Sequence, residues 1–230
     1  MSPAQNHLIE QLPPADRQRL LAVCQPVDLR LGQVLCERGD VLNQVYFPVD
    51  SFISLVMQVD EHPSLEVGMV GREGLMGATL MLGVDTVLQR GLVQGPGAAW
   101  RVEGAAFRRE LALSVALRRS VKRFLFVRMA QMSSAAACLR FHLIGPRLAR
   151  WLLMSQDRAH AQQFHVTHEF LAGMLGVRRV GITAAAGMLQ RRGLITYHRG
   201  QLTVLDRAGL EQAACSCYAS DLAAYQAQFD

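Results

Sequence analysis

Near Gly104 the hydrophobic period of this 230-residue chain changes from two residues to between three and four, and that switch limits the folds open to it. Upstream, from 26 to 103, apolar residues alternate in short runs: Val27/Leu29/Leu31, Val34-Leu35, Val45/Phe47, Ile53/Leu55/Met57/Val59 and Leu65/Val67/Met69. Turn signals separate them, among them Gly32-Gln33, Glu37-Arg38-Gly39-Asp40 and Asp60-Glu61-His62-Pro63. Strands of about five residues at roughly ten-residue spacing read as an all-β barrel or jelly roll. A helix is predicted over 4–23, ahead of the first strand, and the Gly-rich turn Gly71-Arg72-Glu73-Gly74 interrupts the strand series.

Downstream, 104–144 is predicted as one long helix. Its apolar stripe runs through Leu117, Val121, Leu125, Met129, Met132, Ala136, Leu139 and Leu143, while Arg118, Arg119, Lys122, Arg123 and Arg128 lie largely off it. A helix of about 30 residues is about 45 Å long, more than a small domain needs. The stripe therefore fits a seam between two copies of the chain, with a buried core helix as the alternative. Gly145-Pro146 is expected to stop the helix.

Beyond that stop, 147–155 forms a short amphipathic helix and polar 156–165 a loop or short hairpin. Thr167 carries a hydroxyl suited to capping the next helix, whose inner face is Leu171, Met174 and Leu175. Gly176 supplies a left-handed turn residue, and 178–191 forms a second helix with Ile182, Ala185, Ala186 and Leu189 inward. Two short helices joined through one glycine, the second opening on Arg178-Arg179, make a helix-turn-helix. Residues 193–205 alternate around Arg199-Gly200 as a β-hairpin wing. Charge follows the same division: 1–104 carries 7 basic and 12 acidic groups, 105–144 carries 8 and 1, and 145–201 carries 8 and 2. An acidic front joined to a basic back suits a chain whose second half meets a polyanion.

With 50% hydrophobic and 19% charged residues the chain has enough apolar content for a core, which excludes intrinsic disorder. Its longest uncharged runs, 129–139 and 180–190, are 11 residues each, short of the roughly 18–20 that cross a bilayer. The first seven residues show no export signal, so a cytoplasmic address is expected. Reduced thiols are then expected at Cys24, Cys36, Cys138, Cys215 and Cys217. Only Cys215-x-Cys217 is a close pair, and with no second pair in the sequence neither zinc nor an iron–sulfur cluster is expected; a redox role for Cys215 and Cys217 stays open. No nucleophile triad, P-loop or Rossmann fingerprint is present.

The stretch Phe170-Leu-Ala-Gly-Met-Leu-Gly-Val-Arg-Arg-Val-Gly-Ile-Thr183, continued by Leu189-Gln-Arg-Arg-Gly-Leu-Ile195, resembles the Crp/Fnr superfamily of bacterial transcription regulators. Gly71-x-x-Gly74 matches that family's β-roll. The resemblance covers about the whole chain. It implies an α+β protein with an N-terminal jelly-roll-like β-roll over 1–104, a dimerisation helix over 105–144 and a winged helix-turn-helix over 145–230. It implies a homodimeric regulator, not an enzyme, without a cofactor. Such a dimer reads an inverted repeat in double-stranded DNA, with RNA polymerase as a further candidate partner. Thr167, Arg178, Arg179, Thr183, His198 and Arg199 would face DNA. Leu117, Val121, Leu125, Met129, Met132, Ala136 and Leu139 would face the second copy.

The effector pocket would involve Gly71, Arg72, Glu73, Gly74, Gln89, Arg90 and Ser133. Here the sequence departs from the cyclic-AMP-binding members. Arg72 stands where they place a ribose-binding glutamate, and Gln89-Arg90 where they place the phosphate-binding Arg-Ser pair. Usual cyclic-AMP recognition is therefore not expected, and the effector is left unnamed. Of the family's Thr-Ser contact to the base only the serine of Met132-Ser133 remains. Iron–sulfur members group cysteines near the N-terminus, where only Cys24 and Cys36 occur; haem members need an axial histidine, and the front half offers His7 and His62. On the second helix Val180 and Ala184 stand where charged readers are common. The rival reading, a cupin-type metalloenzyme with a helical appendage, needs two or three histidines and a carboxylate in the barrel, where His62 alone is available.

Overall fold

The computed structural model describes residues 5–61, 64–159 and 162–229, so expectations placed on Ala4, His62 and Pro63 lie outside the described residues. The chain divides into two compact units: Met1–Leu55 with Met69–Arg128, and Val56–Gly68 with Met129–Asp230.

In the first unit the predicted N-terminal helix is two, α1 (His7–Glu10) and α2 (Pro14–Ala22). Pro13-Pro14 causes the break, because proline disfavours helix in the residue before it but suits a first helical position. Asn6 is fully buried; its side chain accepts from the Ile9 N–H and donates to the carbonyls of Pro48 (2.8 Å) and Gly74 (3.0 Å). The strands follow as β1 (Gln25–Leu29), β2 (Val34–Cys36), β3 (Gln44–Pro48), β4 (Phe52–Met57), β5 (Leu65–Val70), β6 (Arg90–Gly95) and β7 (Gly97–Glu103), with a short 3-10 turn at Ala78–Leu82; residues 56–57 of β4 and 65–68 of β5 are counted in the second unit. They form two antiparallel arrays, β1-β7-β3 and β2-β6-β4-β5. Trp100 on the central β7 lies opposite both Pro26 and Phe47. Phe47 meets Phe107 edge to face at 5.9 Å inside a core that also buries Phe52, Ile53 and Met69.

The long helix predicted over 104–144 is also two, α3 (Gly104–Leu113) and α4 (Val115–Phe141). Ser114 makes the break. It leaves helical geometry, its hydroxyl accepts from the Leu117 N–H (2.9 Å) to cap α4, and it donates to Asp16 (2.7 Å). The Ser114 hydroxyl and then Arg19 hold Asp16 below the usual carboxylate range.

The second unit contains α5 (Ile144–Ala159), β8 (Gln163–His165), α6 (His168–Leu175), α7 (Arg179–Arg191), β9 (Ile195–His198), β10 (Gln201–Val204), α8 (Arg207–Ala213) and α9 (Cys217–Phe229). Gly145-Pro146 does not stop a helix here but sits in the first turn of α5, where a missing proline N–H costs nothing. The polar segment expected as loop or hairpin instead supplies the last turn of α5 and the strand β8, which pairs with β10 in the sheet β8-β10-β9. Leu148, Leu152, Leu153, Leu171, Ile182, Leu202 and Leu210 are buried in this unit's core. Among the described residues no helix is long and apolar enough to cross a membrane.

Candidate nucleic-acid interface

The α6–α7 unit is built as its residue types require. The Thr167 hydroxyl accepts from the Phe170 N–H at 3.1 Å and caps α6. Gly176 closes α6 with φ +62°, and the Val177 N–H returns to the Ala172 carbonyl (2.9 Å). A side chain at that left-handed position costs about 1–2 kcal/mol. Arg178 is the residue before α7 and not its first turn, one position later than the sequence suggested. Leu171, Ala172, Met174 and Leu175 of α6 pack inward with Ile182, Ala185, Ala186 and Leu189 of α7. Gly181 has a packing role: a Cβ there would stand 2.7 Å from Ile144 Cδ1, so its absence lets α7 approach α5.

The opposite face of α7 is open. Arg178, Arg179, Val180, Thr183 and Ala184 are all exposed, and so are Thr167 before α6 and His198 and Arg199 at the wing tip. The wing turns tightly because Arg199 (φ +48°) and Gly200 (φ +83°) both take the left-handed conformation, the signature of a two-residue hairpin. Arginines at the start of a helix, beside a polar Thr183 and apolar Val180 and Ala184, can reach guanine edges, phosphates and thymine methyls.

Two neighbours of this face gave no signal in the sequence. His168 holds Thr183 at 3.0 Å through Nδ1 and stacks on Tyr197 with ring centroids 4.5 Å apart. Tyr197 is itself fixed by donating to the Val166 carbonyl (3.0 Å). Partial burial, and then the Arg179 charge, push His168 below its ordinary value of 6.5. Glu169 Oε2 lies 4.0 Å from Arg179 Nε, with both side chains largely in solvent. Periodicity reports helical faces but not which polar groups meet across two helices, so neither contact was legible.

The positions expected to form an effector pocket are mostly engaged with the protein itself. The Gly71 N–H donates to Glu73 (3.2 Å), the Gly74 N–H to the Gly71 carbonyl (3.0 Å), and the Arg72 carbonyl accepts from the His7 N–H (2.8 Å). Arg90 pairs with Glu37 at 3.2 Å, and the Gln89 carbonyl faces the Cys36 thiol at 3.8 Å. The exposed Ser133 hydroxyl donates back to the Met129 carbonyl one turn earlier on its own helix.

The α4 stripe also divides. Leu117 and Val121, expected at a dimer seam, are 1% and 0% exposed because the first unit uses them in its own core together with Phe124 and Val127. Leu125 is half-buried, whereas Met129 (68% exposed), Met132, Ala136, Leu139 and Leu143 remain uncovered.

Residues 146–213 match the family of the Crp-like helix-turn-helix domain. Among solved structures the chain is similar to FixK2 of Bradyrhizobium japonicum, with TM-score 0.70, 13% identity and coverage of 84% of this chain and 98% of that one. It is similar to CLP of Xanthomonas campestris, described as a c-di-GMP-responsive global regulator, with TM-score 0.67, 17% identity and coverage of 84% and 99%. A CRP-family transcriptional regulator of Thermus thermophilus gives TM-score 0.68, 20% identity and coverage of 82% and 96%. No curated protein matches the chain. At these identities the likeness is one of fold.

The second unit, with a basic open face on α7 beside a hairpin wing, has the architecture of a winged helix-turn-helix. Within that architecture, residues 146–213 are a Crp-like helix-turn-helix domain, and the chain has the Crp/Fnr regulator fold. The matched segment is therefore of a DNA-binding type, and nothing in the fold favours the cupin-type reading.

Proposed function

We propose that this protein acts as a homodimer that reads an inverted repeat through α7, in the cytoplasm, where its DNA lies. The observation that carries the reading is the open start of α7, where Arg178, Arg179 and Thr183 are exposed while Ile182, Ala185, Ala186 and Leu189, which hold the helix, point inward. In this reading Arg179 contacts a base edge, Arg178 a base or phosphate, and His198 and Arg199 the backbone beside the wing. The exposed Met129, Met132, Ala136 and Leu139 supply the seam with the second copy. Half-sites then lie about one helical turn, roughly 10 base pairs, apart.

The β-roll does not take cyclic AMP in the usual way, because Arg72 replaces the expected acceptor and Glu73 is turned onto its own Gly71 N–H. Saturable heat on titration with cyclic AMP would overturn that part. If the regulator activates, RNA polymerase is its third partner, which transcription from a selected site in a purified system would read.

The main test is selection of sites from random DNA with the full chain and with Met129→Glu/Met132→Glu. The full chain should sediment as a dimer and enrich an inverted repeat; the double variant should sediment as a monomer and enrich none. A dimer that survives the double substitution overturns the seam, and enrichment of no repeat by the full chain overturns the reader.

A further inference from the structure

Along the chain Cys215-x-Cys217 has no second ligand pair, but the folded second unit supplies one. Cys138 lies in the last turn of α4 and His142 four residues later, where the His142 N–H still donates to the Cys138 carbonyl (3.1 Å) and continues the helical pitch. Residues four apart on such a turn share a face. Cys215 precedes α9 and Cys217 opens it. The Cys215 N–H is anchored to the Pro146 carbonyl (3.3 Å), and its own carbonyl accepts from Tyr218 (3.0 Å).

These segments bring one ligand atom of each of the four residues within 4.8 Å of all the others. Cys138 Sγ and Cys215 Sγ are 3.6 Å apart, and Cys217 Sγ and His142 Nδ1 are 3.5 Å apart. A tetrahedral ion with Zn–S of about 2.3 Å and Zn–N of about 2.05 Å requires S···S edges of about 3.8 Å and S···N edges of about 3.6 Å. Both separations fall near those edges. A polynuclear cluster would hold its ligands around several metal atoms and spread them further. Cys138, Cys215 and Cys217 are 2%, 7% and 9% exposed and touch one another, whereas thiols used only as core filler have no reason to converge with an imidazole.

We propose that Cys138, His142, Cys215 and Cys217 form a closed Cys3His site for one Zn2+ ion. Three thiolates and a neutral imidazole leave the occupied site with one net negative charge. Arg147 and Arg150 of α5 stand close enough to feel the charge of Cys138 and Cys215, and the positive N-terminal end of α9 starts at Cys217. Arg150 is also paired with Asp221 of α9 at 2.6 Å, which joins the same two helices beside the site. Zinc binds thiolates, so filling the site displaces the protons of its thiols.

The position of the site gives it a purpose. Its ligands bracket the Crp-like domain at 146–213, two before it and two after it. One ion thus ties the end of the long helix to α9 and closes the ends of the DNA-binding domain. Soft thiolate ligands in a tetrahedral set select zinc over magnesium, calcium or manganese.

The test uses the full chain, expressed with added Zn2+ and purified reduced, without chelator. Metal analysis should give about one zinc per chain, and Co2+ exchanged into the protein should give a thiolate-to-cobalt charge-transfer band with strong tetrahedral visible absorption. Cys217→Ser and His142→Ala should lose both signals, while Cys24→Ser/Cys36→Ser should keep them. Removal of the metal should lower the Tm by on the order of 10 °C. Where a site variant fails to fold, Co2+ titration of the reduced unsubstituted chain decides, since only three-thiolate ligation gives that charge-transfer intensity. A reduced chain that neither holds zinc nor shows the cobalt band overturns the site, as does metal that disappears in Cys24→Ser/Cys36→Ser.

Discussion

The Gly71–Gly74 turn and the start of α7 are both loops rich in polar atoms beside an arginine, yet the protein treats them in opposite ways. In the first, backbone donors and acceptors are taken up locally by Glu73, His7 and Asn6, and Arg90, also expected in the pocket, pairs with Glu37. In the second, Arg178 and Arg179 face outward, Arg179 with a loose tie to Glu169 at 4.0 Å, while the exposed Thr183 is held in position by His168 (3.0 Å) and by donating to the Arg179 carbonyl (3.1 Å). Self-satisfied polar groups hold a turn in place, while groups held in position and left open are available to a partner. Substitutions in the turn should therefore change stability, and those on α7 should change binding.

The largest effect is expected at Gly74. A Cβ there would lie 2.1 Å from Cε2 of the buried Phe124, so Gly74→Val must displace a packed ring. Overpacking of this kind costs about 1–3 kcal/mol, and denaturant unfolding should show a loss at the upper end of that range. Phe124→Leu creates room, so the double variant should recover part of the loss in a double-mutant cycle. Strict additivity would mean that the glycine serves something other than this contact, and the contrast between turn and reader would break.

Arg179→Ala comes next. Loss of a base-reading arginine should weaken the selected site by about 1–3 kcal/mol and relax its sequence preference, with stability changed by no more than about 0.5 kcal/mol. A loss spread equally over all DNA sequences, with a salt slope lowered by about one unit, would instead assign Arg179 to a phosphate. A change in Tm without a change in affinity would remove the distinction between the two regions.

The parts legible in the sequence are those set by local pattern. Alternation located the strands, and the Thr167 cap, the Gly176 turn and the wing at Arg199-Gly200 followed from the conformations those residue types favour. Parts decided by tertiary partners were hidden. The stripe from Leu117 to Leu139 reads as one face, yet Ser114 breaks the helix upstream, where its hydroxyl donates a hydrogen bond to Asp16, 98 positions away. Leu117 and Val121 went to the core for the same kind of reason: a helical face does not say which neighbour covers it. Of the candidate interface, the outward arginines were legible and the His168–Tyr197 stack that supports Thr183 was not. The converging thiols were invisible because their two pairs are separated by the whole helix-turn-helix domain.

The smallest effect concerns His168, where scaffold and reader meet. Its ring is lodged against Tyr197 and Thr183, and partial burial, followed by the Arg179 charge, lowers its proton affinity below the ordinary 6.5. A depressed folded value means that the unfolded chain binds the proton more readily. The stabilising contribution is therefore complete above pH 6.5 and is lost as the pH falls through the lower folded value. Other groups titrate in the same range, so the measurement is a difference: the Tm of the unsubstituted chain against that of His168→Gln, followed from about pH 7.5 to about pH 5. The ring is half-buried with its Nε2 shielded from water, and the extra loss in the unsubstituted chain should be on the order of 1–2 °C. DNA should reverse the sign, since phosphates near the ring favour the imidazolium; at low salt the unsubstituted chain should gain affinity relative to His168→Gln over the same pH range. Opposite slopes for stability and affinity would place His168 in both roles. Parallel slopes would confine it to the scaffold, and identical pH behaviour of the two chains would sever His168 from both.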